Sequence, residues 1–193
     1  VSSVGALALD PKNPDVIWLG TGEGNPRNSN TGGAGLYKSI DGGKNWKLIG
    51  LEATRHIHRI LVNPDQPNIV YVAAIGNPWA DSEDRGVYKT SDGGKTWKNI
   101  LYKNKRTGAA EMVMDPQNPD KLIVNMWEHR RNEGFVSKLT FTHIFSCRRR
   151  FHYKNELSRT NRSAGPPMSS RRRRTRPFKA TNVHPLALVQ SLN

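Results

Sequence analysis

Short apolar runs, each closed by a turn, recur through the first two thirds of the chain. Val4–Leu9, Ile57–Val62 and Ala110–Met114 run into the segments "DPKNPD", "NPDQPN" and "DPQNPD". Proline fixes φ there, and Asn or Asp side chains bond nearby backbone, so the chain reverses at little cost. A second run follows each turn, at Val16–Gly20, Ile69–Ala74 and Leu122–Met126. Ile69, Val70, Tyr71 and Val72 are apolar at successive positions, as in a strand covered on both faces. Third runs at Gly35–Ser39 and Gly86–Thr90, and fourth runs at Trp46–Ile49 and Trp97–Leu101, complete two units. The pattern predicts an all-β fold with four short antiparallel strands per unit.

The units repeat in register. Pro11, Pro64 and Pro116 lie 53 and 52 residues apart, while Asp41 and Asp92, like Trp46 and Trp97, are 51 apart. A period near 52 is close to the roughly 40–50 residues of a propeller blade. Between strands three and four stands Ser39-x-Asp41-x-Gly43-x-x-Trp46, and again Thr90-x-Asp92-x-Gly94-x-x-Trp97. This suits a hairpin tip. The Asp carboxylate accepts backbone amides inside the turn, glycine permits positive φ, and the Trp supplies a large apolar plate.

This hairpin resembles the Asp-box, or BNR repeat, of β-propellers. The wider text "GTGEGNPRNSNTGGAGLYKS" and "TRHIHRILVNPDQPNIVYVAAIGNPW" is similar to the sortilin-like, bacterial BNR-repeat "glycosyl hydrolase" proteins. The resemblance covers about residues 1–131 and stops near "MWEHRR". It implies that Ser39, Asp41, Gly43, Trp46, Thr90, Asp92, Gly94 and Trp97 are elements of the fold, remote from any ligand. It implies an extracytoplasmic parent protein (secreted, periplasmic or on the cell surface) whose ligand is a glycan or a polypeptide. A further Asp box is due near position 143, where the chain reads "KLTFTHIFSCRRRF". The expected fold is thus a partial propeller: blades at about 1–51 and 52–102, and the start of a third at 103–132. Its remaining blades are missing from this chain. The chain opens at Val1 without a basic-then-apolar leader, and the expectation is that its true N-terminus lies upstream.

In a four-stranded meander, alternate connections fall on opposite ends. The Pro turns and the Asp hairpins share one rim. The other rim receives the long, dissimilar loops, where functional residues tend to sit. There the candidate ligand residues are Glu23, Arg27, Asn28, Arg55, His56, Trp79, Arg85, Trp127 and Arg130. Asn25, Asn77, Lys105, Arg106, His129 and Arg131 fall on the same rim. Sugars stack on exposed Trp rings, and planar Arg forks hold carboxylates. The same residues have plainer roles available: Arg27, Arg85 and Glu23 as partners that hold long loops, Trp79 as a loop anchor, Arg55 and His56 as solvation of the channel. Glu23, Asp81 and Asp84 are acid–base candidates by position alone. A glycosidase needs two carboxyls about 5–9 Å apart, and nothing in the sequence singles these out. His56 and His58 share a strand face, but no third ligand accompanies them, so no metal site is expected. No phosphate loop or nucleophile elbow appears, and no cofactor is expected.

Composition changes the picture only in the last third. The net charge of +14 suggests nucleic acid at first sight. Residues 1–132, however, hold 17 Lys+Arg against 14 Asp+Glu, and residues 133–193 hold 13 against 2. Glycine falls from 15 residues to 2 across that boundary. The only cysteine, Cys147, lies in the second segment, so the first has no disulfide or thiolate site. "EGFVSKLTFTHIF" has the composition of one strand, a stand-in for strand three of the third unit. Beyond it, Arg148–Arg150, Arg171–Arg174 and "SAGPPMSS" read as a disordered, basic extension. Two accounts of it compete. It binds nucleic acid or another anionic surface, or it is out-of-frame sequence, which the abrupt change of composition favours. No apolar run reaches the roughly 20 residues of a membrane helix.

Three function classes stay open: a non-catalytic binding scaffold, which is the reading favoured, part of a propeller glycoside hydrolase, and nucleic-acid binding through the tail.

Overall fold

The pleated runs form three antiparallel sheets. The computed structural model describes residues 3–24 and 30–130, and the strand His143–Ser146 by its backbone. These belong to the first of two compact units, Val1–Lys154; the second, Asn155–Asn193, lies outside the described residues. The first sheet is β1 (Val4–Asp10), β2 (Asn13–Thr21), β3 (Leu36–Ser39) and β4 (Lys47–Leu48), in that order. The second is β5 (Ile57–Val62), β6 (Val70–Ala74), β7 (Gly86–Thr90) and β8 (Lys98–Leu101). The third joins β9 (Thr107–Asp115), β10 (Asn118–Glu128) and β11 (His143–Ser146), with β10 in the middle. Of the strand expected from "EGFVSKLTFTHIF", the last three residues fall in β11, and the rest lie outside the described residues. β11 pairs Val124 with His143 and Lys121 with Ser146, in the place of a third strand. Among the described residues the only helical element is one 3-10 turn, Glu52–Thr54.

The turns explain where strands begin. Asp10 Oδ1 accepts the Lys12 amide at 2.8 Å and Asn13 Oδ1 the Asp15 amide at 3.1 Å. Such side-chain turns use few residues, so Asp10 already pairs with Asn13 and β2 starts three residues before the apolar run. Asp115 and Asn118 do the same for β10. In the second unit Asn63 Oδ1 captures two amides, those of Asp65 and Gln66. The turn is wider and β6 begins only at Val70.

Two cores lie between the three sheets. Trp18 packs with Ile60, Val70 and Val72 between the first and second sheets, with Ala6, Ala8, Val16 and Trp97 around them. Tyr71, Ala73 and Val87 pack with Met112, Leu122, Val124 and Met126 between the second and third. Both faces of β6 are covered, and all five of its residues are buried, as its unbroken apolar run requires. The first strands β1, β5 and β9 are successive neighbours. Gly5 lets β1 approach β5: a Cβ there would collide with the Ile57 carbonyl. Face-to-face sheets with adjacent first strands are the arrangement of consecutive propeller blades.

The duplicated hairpins close on themselves alike. Ser39 Oγ donates to Asp41 Oδ1 at 2.7 Å and accepts the Gly43 amide at 2.9 Å. Thr90 Oγ1 donates to Asp92 Oδ1 at 2.7 Å and accepts the Gly94 amide at 3.0 Å. Each hairpin also bonds the start of strand two of its own sheet, Gly42 to the Asp15 carbonyl and Gly93 to the Asn68 carbonyl. The Asp hairpins and the Pro turns therefore share one rim. The second hairpin additionally reaches across to the first sheet. Trp97 Nε1 donates to the Ile49 carbonyl at 3.0 Å, and its ring meets Trp18 edge-on at 6.4 Å. Lys38 lies 4.4 Å from the Trp18 ring centre and donates to the Gly93 carbonyl at 3.0 Å.

Candidate functional site

At the opposite rim, loops of neighbouring sheets lock together in two places. The first joins the ends of β2 and β5. Glu23 donates its amide to the Thr31 carbonyl at 2.9 Å, and its Oε2 accepts the Thr31 amide at 3.2 Å. Its carbonyl lies 3.1 Å from His56 Nδ1. His56 is buried, while Arg55 is exposed with φ 58° and accepts the Gly33 amide at its carbonyl. His58, deeper on β5, is pushed down to about 4 by burial and by the neighbouring His56, partly countered by a bond with Ala110. Asn25, Arg27, Asn28 and Arg131 lie outside the described residues, as do Cys147 and the Arg-rich runs.

The second cluster joins the Ile75–Arg85 loop to the link before β9 and the end of β10. Asp81 takes the Nε of Arg130 at 3.1 Å and of Arg106 at 3.3 Å. Desolvation works to raise the Asp81 pKa, but the bonds and charges of Arg130 and Arg106 prevail and hold it below its ordinary value. Lys105 pairs with Glu83 at 3.4 Å, and the Ser82 amide donates to the Lys105 carbonyl. Asp84 accepts Ser82 Oγ at 3.0 Å. Trp79 stands on this loop with its side chain half exposed, its amide held by Asn77 Oδ1.

Arg85 lies beneath, fully buried. Its Nη1 donates to the carbonyls of Ile75 and His129, and its Nη2 to those of Asn77 and Ala80. Burial lowers its pKa to about 10, against the raising influence of Asp81. A guanidinium so engaged ties the loop of the second sheet to the third and is not presented to solvent. Trp127 packs at a tilt of 48° against the buried His129, ring centres 4.0 Å apart. Among the described residues, no acceptor reaches the buried Arg85 Nε or Trp127 Nε1.

The structure thus brings Asp81, Arg85, Arg130 and Trp79 into one region and Glu23, Arg55 and His56 into another. Arg106 and His129 complete the former and were not singled out as ligand residues. The signal was the repeat itself: Arg106 lies 51 residues after Arg55, at the same point before an inner strand. No cluster of three His, Cys, Asp or Glu side chains able to hold a metal occurs among the described residues.

On the far rim the hairpin carboxylates are as well held. The Asn45 amide and side chain and Ser39 lower Asp41 to about 2. The side chain and amide of Thr96, with Thr90, hold Asp92 further below the ordinary carboxylate range.

The model of the Sortilin-Vps10 family, described as "Sortilin, neurotensin receptor 3", matches residues 34–184. The chain belongs to the Sortilin-Vps10 family. The match continues past residue 131, where the resemblance read from the sequence stops. This Sortilin-Vps10 chain is also 32% identical over 99 residues to a probable oligoxyloglucan-reducing end-specific xyloglucanase of Neosartorya fischeri. That match covers 49% of the chain and 10% of the relative. Among solved structures, an ancestral GH74 enzyme matches 66% of the chain with a TM-score of 0.52 at 20% identity, over 17% of its own length. The GH74 xyloglucanase of Xanthomonas campestris matches 70% with a TM-score of 0.49 at 15% identity, over 19% of its length. The Sortilin-Vps10 chain is a partial β-propeller, and it spans about a tenth of the curated relative it matches.

Proposed function

We propose that the chain is part of a non-catalytic ligand-binding propeller, with a glycan or polypeptide held on the loop rim opposite the Asp hairpins. The hairpins then act as Asp boxes, elements of the fold. The observation that carries this is the second rim cluster: an exposed Trp79 on a loop fixed from below by buried Arg85 and from the side by Arg106 and Arg130. A flat aromatic face beside immobilised guanidinium groups suits a sugar ring or a peptide and requires little ordering on binding. The names of its relatives, a neurotensin receptor and a xyloglucanase, supply those two ligand classes.

A general acid in a glycosidase needs a raised pKa. Asp81 is shifted the other way, and Glu23 and Asp84 are bonded within their own loops. The xyloglucanase relative keeps a second reading in play, part of a propeller glycoside hydrolase. Calorimetric titration with xyloglucan oligosaccharides and with a panel of short peptides separates the two. Trp79→Ala is expected to weaken the ligand that binds by about tenfold or more, while Asp41→Asn leaves affinity unchanged. Release of reducing sugar that disappears in Glu23→Gln or Asp84→Asn would replace the binding reading with the hydrolase.

A further inference from the structure

The two junctions of the loop rim are repeat copies of each other, and they differ in charge. Arg55 leads into β5 as Arg106, 51 residues later, leads into β9. Each meets the end of the loop between strands two and three, which closes on Gly35 in the first sheet and on Gly86 in the second, both with positive φ. In the second sheet that loop end reads Asp81-Ser82-Glu83-Asp84; the equivalent positions of the first are Asn30-Thr31-Gly32-Gly33. Three carboxylates at one junction are thus matched by none at the other.

The arginines fare accordingly. Arg106 bonds Asp81 at 3.3 Å, and its neighbour Lys105 pairs with Glu83 at 3.4 Å. Arg55 is exposed, and its guanidinium lies along Gly32, where a Cβ would come within 3.2 Å of Nη2 and 3.3 Å of Nε. Among the described residues no carboxylate pairs with it. Glu23, the acid of this loop, turns Oε2 to the Thr31 amide. The backbone beneath Arg55 is fixed and strained. With φ 58° and ψ −38°, it donates its amide to the Glu52 carbonyl and accepts the Gly33 amide at 2.6 Å. Among the described non-glycine residues only Leu51 and Arg55 have positive φ, so Arg106 does not share the strain. Strain of this kind persists where the surroundings over-determine it, and it gathers at ligand clamps.

We infer that Arg55 anchors an aspartate or glutamate side chain of a polypeptide ligand, held as Asp81 is held by Arg106. This rests on the loop rim being the ligand surface proposed above, and it narrows the ligand to an acidic polypeptide. The sister junction displays the chemistry that the place accepts: a side-chain carboxylate carried on a peptide loop. A guanidinium bonds such a group through charge-assisted hydrogen bonds, and a backbone already fixed leaves little to order on binding.

The test is calorimetric titration of the full chain at low salt. The probe is a short peptide with two Asp residues and both termini blocked; its twin carries Asn in their place, and an oligogalacturonate supplies carboxylates on sugar. The Asp peptide should bind about three- to tenfold more tightly than the Asn twin. Arg55→Gln removes that preference. Asn30→Asp removes it too although Arg55 is kept, because it rebuilds the Asp81 arrangement and fills the place from within. This second variant also serves should Arg55→Gln fail to fold, and circular dichroism checks both. Equal affinity for the twin peptides, or a preference that survives either folded variant, overturns the inference. Tighter binding of the oligogalacturonate than of the Asp peptide overturns its polypeptide class. If xyloglucan oligosaccharides bind in a Trp79-dependent manner and neither peptide binds, this inference falls and the rim reading stands; if no probe binds, both fall.

Discussion

The hairpins at Asp41 and Asp92 have nearly the same sequence, and one of them holds the fold together more than the other. Both satisfy equivalent amides, with a Ser hydroxyl in the first and a Thr hydroxyl in the second, each bonded to the hairpin Asp. Among the described residues only the second lands on a neighbouring sheet, where Trp97 bonds the Ile49 carbonyl and meets Trp18, and where Lys38 closes over the Gly93 carbonyl. A Cβ on Gly94 would lie 3.1 Å from the Trp18 ring, whereas Gly43 meets nothing beyond its own sheet. Local sequence therefore sets the shape of the hairpin, and the surface that receives it sets its energetic weight. The same division separates Trp79 from Trp127 on the other rim, one exposed on a loop and the other packed at a tilt against His129.

The largest expected contrast is between the two tryptophans. Trp97→Ala removes a half-buried ring and an inter-sheet hydrogen bond and should lower stability by roughly 2–4 kcal/mol. Trp46→Ala, measured at concentrations where the chain is monomeric, should stay within about 0.5 kcal/mol. Urea titration of both variants decides it; equal losses would mean that the hairpin contributes through its own turn alone.

A smaller contrast lies in acid. Asp41 and Asp92 have lower pKa values folded than the roughly 3.9 of an unfolded chain. Their contribution is fully present above that value and is lost as pH falls through the folded values, about 2 for Asp41. The first hairpin can open locally, which uncouples its protonation from global unfolding; the second cannot open without exposing Trp18. Asp92→Asn should therefore flatten the stability slope between about pH 5 and 2 more than Asp41→Asn does. Urea midpoints across that range measure both slopes.

The strand repeat, the turn chemistry and the division of the two rims were legible in the sequence because each rests on local pattern: apolar alternation, Asx-Pro turns, a Gly-Gly tip. Arg85 was not. A charged side chain reads as exposed, and its burial depends on four carbonyls brought together from Ile75, Asn77, Ala80 and His129, a convergence that exists only once the second and third sheets have packed. The paired hold of Arg106 and Arg130 on Asp81 joins residues 25 and 49 positions apart and escaped for the same reason. Lys38 over Trp18 was hidden too, since it is the docked hairpin that places a carbonyl for the ammonium to bond.

Amide hydrogen exchange at Gly43 and Gly94 in the monomeric chain tests most directly the claim that the receiving sheet decides what a hairpin contributes. Both amides donate to a hydroxyl in the same local geometry, at 2.9 and 3.0 Å. The Gly94 amide should exchange more slowly by at least about tenfold, since it opens only with the inter-sheet core. Equal protection of the two would contradict the account.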